Sequence, residues 1–173
     1  MKRRDALSSF GLGLATMLST PAWANNWKKA SLPSSIGFLN LEQQSLLTAL
    51  TETIIPTTDT PGAEAIGIPQ FIELMLKDCY KPAEQKAFKK GFDKTEDLAK
   101  ATFGKAFAAC NTAQKQHILK SMEINDDPEL RQFYSVLRNL SIRAYTSSEH
   151  YMINVKKWEF APARYLGCVD LKK

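Results

Sequence analysis

The chain has 173 residues, with 23 Lys+Arg, 18 Asp+Glu and 2 His, for a formal net charge of +5. Apolar residues make up 44% and charged residues 24%, an ordinary globular composition that excludes a disordered tail, a collagen-like chain and a multi-span membrane protein. Eight Gly, eight Pro and three Cys exclude a low-complexity chain and a disulfide scaffold, and the length suits one domain with a substantial core.

Residues 1–24 read as an export signal. Lys2, Arg3 and Arg4 open it, and no charged residue follows from Ala6 to Trp27. The stretch Phe10 to Leu18 is mildly apolar and carries Gly11 and Gly13. Ala22 and Ala24 fit a small-x-small cleavage site, which places the cut after Ala24. Arg3-Arg4 followed by Asp5 and a weakly hydrophobic stretch resembles a twin-arginine signal, although Ala6-Leu7 stands where that signal prefers a bulkier apolar pair. The competing reading is a general secretory signal. Gly, Ser and Thr make the segment a poor membrane anchor. Its removal takes away three basic residues and one acidic one, leaving net +3. The remaining charge is scattered, with Lys89-Lys90 and Lys156-Lys157 as mere pairs, so no nucleic-acid partner is expected.

Residues 25–37 form an extended lead-in, and 38–173 form the domain. The spacing predicts an all-α fold of about five to six helices with an irregular C-terminal tail. Asn40 caps the first helix, with Gln43 at the capping-box position, and Leu46, Leu47, Leu50 and Ile54 share its apolar face. Pro56 stops it. Thr57 to Gly62 is a turn-rich loop. A second helix opens at Pro69 and runs through Phe71, Ile72, Met75 and Leu76 to about Tyr80. Pro82 opens a longer stretch whose apolar positions are Phe88, Phe92, Ala99, Phe103 and Phe107. Gly91 is its weak point, worth roughly 1 kcal/mol against Ala. Asn111 and Gln114 form another capping box, ahead of Ile118, Leu119 and Met122. Asp126 or Asp127 caps the clearest amphipathic helix, with Leu130, Phe133, Tyr134, Leu137, Leu140, Ser141 and Ala144 on one face. From Trp158 the chain is irregular and aromatic. No alternating strand and no repeat is evident.

Motifs for chemistry are sparse. The sequence has no Cys-x-x-Cys-His for covalent haem, no Gly-x-Gly-x-x-Gly and no phosphate-loop lysine. His117 and His150 lack ligand partners at metal-site spacing and read as packing or surface residues. Ser147-Ser148-Glu149 caps a helix more naturally than it attacks a carbonyl. Cys79, Cys110 and Cys168 outlast signal removal. In an oxidising compartment one pair of the three would close and leave an odd thiol; all three as buried thiols is the other reading, and spacing cannot choose. The residues alone therefore describe an exported helical domain with no catalytic, cofactor or metal residues of its own.

Five stretches together resemble the gluconate 2-dehydrogenase subunit 3 family, the small subunit of FAD-dependent sugar and alcohol dehydrogenases. They are Phe38 to Gln43 running into Ala49 to Pro56; Thr58 to Ala63 with Gly67 to Ile72; Gly91-Phe92 with Phe103 to Phe107; Tyr145-Thr146-Ser147 with Glu149; and Tyr165 to Cys168. The run Ile54-Ile55-Pro56, Thr58-Asp59-Thr60-Pro61-Gly62-Ala63 is the most specific. Around Tyr145 the chain departs from the family's Gly-Tyr-Tyr-Thr-Ser-Glu-x-Gly by lacking the first Gly and carrying an extra Ser.

The resemblance implies a non-catalytic subunit of a periplasmic complex, located at the inner membrane if the complex is. The large partner would be a flavoprotein of the glucose-methanol-choline type holding FAD, and a c-type cytochrome with haem commonly takes the electrons onward. The small subunit would bind and stabilise the flavoprotein and supply its export signal, read by the twin-arginine translocase. Candidate contact residues are Thr58, Asp59, Thr60, Pro61 and Gly62, in a loop stiffened by prolines 56, 61 and 69; Tyr145, Thr146 and Ser147; and Trp158, Phe160 and Tyr165, of types rich in binding hot spots. Two other classes compete. One is a free-standing periplasmic module with a ligand pocket between helices. The other is an enzyme using His117, Glu149 or His150 as acid-base groups.

Overall fold

The structure is a computed structural model and describes Leu32 and residues 37–159. The signal residues Arg3, Arg4, Ala22 and Ala24, and Phe160, Tyr165 and Cys168, lie outside the described residues. Among the described residues the fold is all-α, with no strand. Six α-helices follow in order: α1 (Leu41–Ile54), α2 (Ala63–Ile66), α3 (Ile68–Cys79), α4 (Pro82–Phe103), α5 (Thr112–Glu123) and α6 (Pro128–Ser147). A 3-10 turn, Phe107–Ala109, joins α4 to α5, and a π turn, Tyr151–Val155, follows α6. No described helix is long and apolar enough to cross a membrane.

The helix starts are chemical. The Asn40 side chain accepts from the Gln43 N–H at 2.7 Å, and the Gln43 side chain answers on the Asn40 N–H at 3.4 Å. Asn111 and Gln114 make the same reciprocal pair at 2.8 and 3.0 Å. Both boxes stand where their spacing predicts them, because each needs only three residues of chain. Of the two aspartates before α6, Asp127 is the cap, accepting from the Glu129 N–H at 2.9 Å.

Helix α6 is the hub, packed against each of the other five α-helices. Its buried stripe is Leu130, Phe133, Leu137, Leu140, Ser141 and Ala144, with Tyr134 half-buried at its edge. Phe133 meets Phe88 and Phe92 of α4 with ring centroids 4.7 and 5.3 Å apart. Gly91 lets it do so. A Cβ on Gly91 would strike the Phe133 ring, so the weak helix former is the site of closest approach between α4 and α6.

Two expectations need correction. The apolar stripe of α4 does not continue to Phe107. The helix ends at Phe103 because Gly104 turns left-handed (φ +67°), and Phe107 enters the core from the separate 3-10 turn, fully buried. The Pro56–Pro69 connector is not wholly loop either. It contains the helical turn α2, closed by left-handed Gly67 (φ +92°), whose N–H donates to the Ala63 and Glu64 carbonyls.

The entrance to the domain is held by two side chains distant in sequence. The buried Glu73 carboxylate accepts from the Phe38 and Leu39 N–H groups at 3.0 and 2.9 Å and from the Gln44 amide. Lys89 Nζ donates to the Phe38 carbonyl at 2.6 Å and lies 4.0 Å from the centroid of its ring. The lead-in therefore joins the fold at one fixed place on α3 and α4.

Candidate functional site

Tyr80, just past the end of α3, and Pro128, the first residue of α6, line one groove. The two packed helices therefore run antiparallel, and the start of α3 lies toward the C-terminal half of α6. Helix α2 also touches α6. The proline-rich loop and the Tyr145–Ser147 segment consequently share one half of the molecule.

The loop is built around Glu52, in the last turn of α1. Its Oε1 accepts from the Thr57 N–H at 2.9 Å and the Thr57 hydroxyl at 2.6 Å, and its Oε2 accepts from the Glu64 N–H at 3.1 Å. One carboxylate thus ties the loop's beginning to the first turn of α2. The Ala63 N–H donates to the Ile55 carbonyl at 3.0 Å, closing the loop from behind. Burial pushes the Glu52 carboxyl up. The hydrogen bonds from the Thr57 hydroxyl and the Glu64, Thr57 and Ala63 N–H groups outweigh it and hold the carboxyl below the ordinary glutamate range.

Gly62 sits against this clamp. Its backbone is extended (φ −77°), so conformation does not demand glycine there. Space does: a Cβ would lie 2.5 Å from Glu52 Oε1 and strike the Thr57 hydroxyl. Thr58, Asp59 and Thr60 form the exposed tip, Pro61 is half-buried and Gly62 is buried. The Thr58 N–H donates to the Thr60 carbonyl at 3.1 Å, which tightens the tip.

At the end of α6 the Tyr145 ring is half-buried, 5.5 Å from that of Tyr151. The Thr146 and Ser147 hydroxyls donate to the carbonyls one turn earlier, Ile142 and Arg143, at 2.9 and 2.7 Å. Ser148 is fully buried. Its hydroxyl donates to the Tyr145 carbonyl and accepts from the Tyr151 N–H, so it joins the end of α6 to the π turn. The Trp158 N–H donates to the Met152 carbonyl while 47% of the residue remains exposed.

Among the described residues, two buried polar atoms in this half have no hydrogen-bond partner. They are Gln70 Oε1, in the first turn of α3, and His150 Nε2, just past α6. His150 Nδ1 lies 3.2 Å from the Asn154 amide nitrogen. His117, on α5, is exposed and packs edge-on against Phe103, with centroids 5.7 Å apart. Among the described residues, no group of three or more His, Cys, Asp or Glu is placed to hold a metal ion. Cys79 is exposed and Cys110 buried, and both are free thiols, so these two are not paired with each other. The groove shared by Tyr80 and Pro128 has a volume of about 290 Å3 and lies between α4 and α6.

Glu52, Glu73 and Lys89 are the ordering residues that sequence reading misses. Glu73 leaves a trace, a carboxylate amid the apolar run Phe71 to Leu76. Glu52 and Lys89 leave none.

The described chain is thus a small all-α domain with an anchored entrance and a clamped loop at one end. Residues 41–162 match the family model for gluconate 2-dehydrogenase subunit 3, and the chain belongs to that family. No curated protein and no solved structure matches it. The family is a subunit of gluconate 2-dehydrogenase complexes, so membership implies a dehydrogenase complex with other subunits.

Proposed function

We propose that this chain is the non-catalytic small subunit of a periplasmic FAD-dependent dehydrogenase, and that it binds and stabilises a glucose-methanol-choline-type flavoprotein. The family match over residues 41–162 carries this reading. FAD belongs to the large partner, and haem to a c-type cytochrome where one is present. Residues 1–24 supply a twin-arginine export signal for the folded assembly, which also carries the partner across.

The docking face proposed is the half of the molecule that holds the clamped loop and the end of α6. The Glu52 clamp pre-forms the Thr58–Thr60 tip, and a pre-formed loop loses less entropy on docking. Gln70 Oε1 and His150 Nε2 supply a second argument. An unpartnered buried polar atom costs about 1–3 kcal/mol, a cost that a partner's hydrogen-bonding group relieves.

The test is affinity purification of the C-terminally tagged full chain from native periplasm and membranes, with an absorption spectrum of the eluate. Co-elution of a larger chain with flavin absorbance is the expected result. A colourless single chain would overturn the reading and favour a free-standing module.

A further inference from the structure

The described residues contain three arginines, Arg131, Arg138 and Arg143, and all three lie on α6. Their lysines all lie elsewhere, and Glu129, in the first turn, is the helix's one acidic residue. Arg and Lys carry the same charge, so this segregation concerns geometry. The planar guanidinium grips a carboxylate through two parallel hydrogen bonds, which an ammonium cannot do. Protein interfaces are correspondingly enriched in Arg and depleted in Lys, Asp and Glu.

The three arginines frame one surface. The buried stripe of α6 faces the other helices, and the opposite side is open to solvent. Arg131 and Arg138 are seven residues apart, so at about 3.6 residues per turn they stand on the same edge of that open side. Arg143 falls on the other edge, and Ser135, Asn139 and Ile142 lie between the two, all exposed. Ile142 keeps 45% of its surface in water, an apolar side chain amid polar ones. A cleft of about 430 Å3 lies at the Arg131–Arg138 edge, with Tyr134 and Ser135 among its walls.

Existing contacts leave the guanidinium groups available. Arg131 Nη1 donates to the Asn125 carbonyl at 2.6 Å, which steadies the side chain and leaves its other N–H groups to solvent. Arg138 Nη1 meets Glu123 of α5 at 3.4 Å with 52% and 53% of the two side chains exposed, and a pair of that kind contributes little. Arg143 has no ion-pair partner among the described residues.

We propose that the outer face of α6 is a docking surface for a carboxylate-bearing segment of the partner subunit, held by Arg131, Arg138 and Arg143 around an apolar contact at Ile142. The identity of the partner rests on the subunit reading above; its acidic chemistry rests on the helix alone. The face continues to Thr146 at the end of α6, exposed on the same side, and so extends the proposed docking face along the helix. From Arg131 to Thr146 it runs about 22 Å, enough for a short acidic strand or helix. A second copy of this chain fits poorly, because a two-fold contact would set arginine against arginine. A lipid surface fits poorly as well, because the face centres on Ser135 and Asn139 and lacks the aromatic and leucine side chains of interfacial helices.

The experiment compares tagged full chains in the same affinity purification. One is the parent. The second carries Arg131→Gln, Arg138→Gln and Arg143→Gln. The third carries Lys86→Gln, Lys105→Gln and Lys120→Gln, which removes the same charge from exposed positions elsewhere. Capture of the flavoprotein by the arginine variant is expected to fall about tenfold or more and to lose its salt dependence, with the lysine control near the parent. Lysine at the same three arginine positions keeps charge and stem, and should restore capture only in part. A fluorescent polyglutamate peptide, titrated onto the purified full chains, needs no partner subunit. The parent and the lysine control should bind it, and the arginine variant about tenfold more weakly. Equal capture by the parent and the arginine variant would overturn the proposal and leave the subunit reading intact. So would equal losses in the arginine variant and the lysine control, or polyglutamate binding that the arginine substitutions leave unaltered. Self-association of the parent, or its flotation with phosphatidylglycerol vesicles, abolished by the arginine substitutions with no effect on capture, would overturn it in favour of a second copy or a membrane. Absence of flavoprotein from every eluate overturns the subunit reading instead, and polyglutamate binding then decides the acidic chemistry alone.

Discussion

Glu52 and Thr57 are joined twice, through the Thr57 N–H and through its hydroxyl, both donating to the same carboxylate oxygen. This pair decides the shape of the proline-rich loop between α1 and α2. It also sets a pH dependence. The Glu52 carboxyl is held below its ordinary value, so its stabilisation is complete above the unfolded pKa and is lost as pH falls through the folded one. The Thr57 and Glu64 amide resonances should titrate together, with a midpoint below that of a free glutamate. A midpoint at or above the free value would contradict the clamp. Glu52→Gln should abolish the titration and cost at most about 1.5 kcal/mol, the low end for hydrogen bonds to a charged group, because these bonds are solvent-exposed.

Gly62→Ala tests the same clamp from the other side. The new methyl group would collide with Thr57 and Glu52, and overpacking of this kind costs about 1–3 kcal/mol. In a Glu52→Ala background one obstacle is gone and Thr57, no longer held by the carboxylate, is free to move aside, so the two changes should couple in a double-mutant cycle. Additive effects on urea midpoints would show that Gly62 matters for another reason.

Gly91→Ala sets propensity against packing. Propensity alone predicts a gain of roughly 1 kcal/mol in the middle of α4. The Phe133 ring occupies the space, so a net loss of about 1–3 kcal/mol is expected. Phe133→Leu should narrow that penalty. A Gly91→Ala chain that melts higher than the parent would refute the close approach.

These glycines show what the sequence made legible. Asn40 and Asn111 were readable because a cap needs only a few neighbouring residues, and the third cap was readable as one of Asp126 and Asp127, which only the structure separates. The stripe of α6 was readable because one period runs through 20 residues. Gly91 was readable as a weak helix former, but its partner lies 42 positions away in Phe133. Phe107 misled for the opposite reason. It keeps the spacing of the α4 stripe while Gly104 ends the helix between them. At the candidate site the loop and its prolines were legible, but the carboxylate that shapes it was not. Glu52 reads as one more polar residue on an amphipathic helix until the chain has turned back onto it.

Lys94 ties α4 to the start of α6 by meeting Asp127 at 2.5 Å and Glu129 at 2.6 Å. Its hydrogen bonds to them raise its own pKa and lower both of theirs. The carboxylates' share is therefore lost as pH falls through their folded pKa values, and the lysine's as pH rises through its own. Lys94→Met should flatten the acid limb of urea stability against pH and reduce its salt dependence. An unchanged acid limb would mean that the cap of Asp127 acts without Lys94.

Gln70 and His150 separate folding from binding. Removing a buried, unpartnered polar atom, Gln70 Oε1 or His150 Nε2, in favour of apolar atoms of similar shape is close to neutral or stabilising for the fold, and the contact of His150 Nδ1 with Asn154 is solvent-exposed. Gln70→Leu and His150→Phe should therefore leave the unfolding temperature unchanged or raise it. Both should weaken capture of the flavoprotein by about tenfold, equivalent to roughly 1.4 kcal/mol. Capture at parental strength would move the docking face elsewhere on the bundle.

The export proposal is tested by Arg3→Lys with Arg4→Lys. The substitutions keep the charge of the segment and change only the guanidinium groups, so a general secretory signal should tolerate them and a twin-arginine signal should not. Both this chain and its flavoprotein partner are expected to remain in the cytoplasm, with periplasmic dehydrogenase activity lost. The cytoplasmic fraction should then contain an assembled, flavin-loaded complex, because folding precedes transport. Retention of this chain alone, with the flavoprotein still reaching the periplasm, would show that the partner does not depend on the signal carried here.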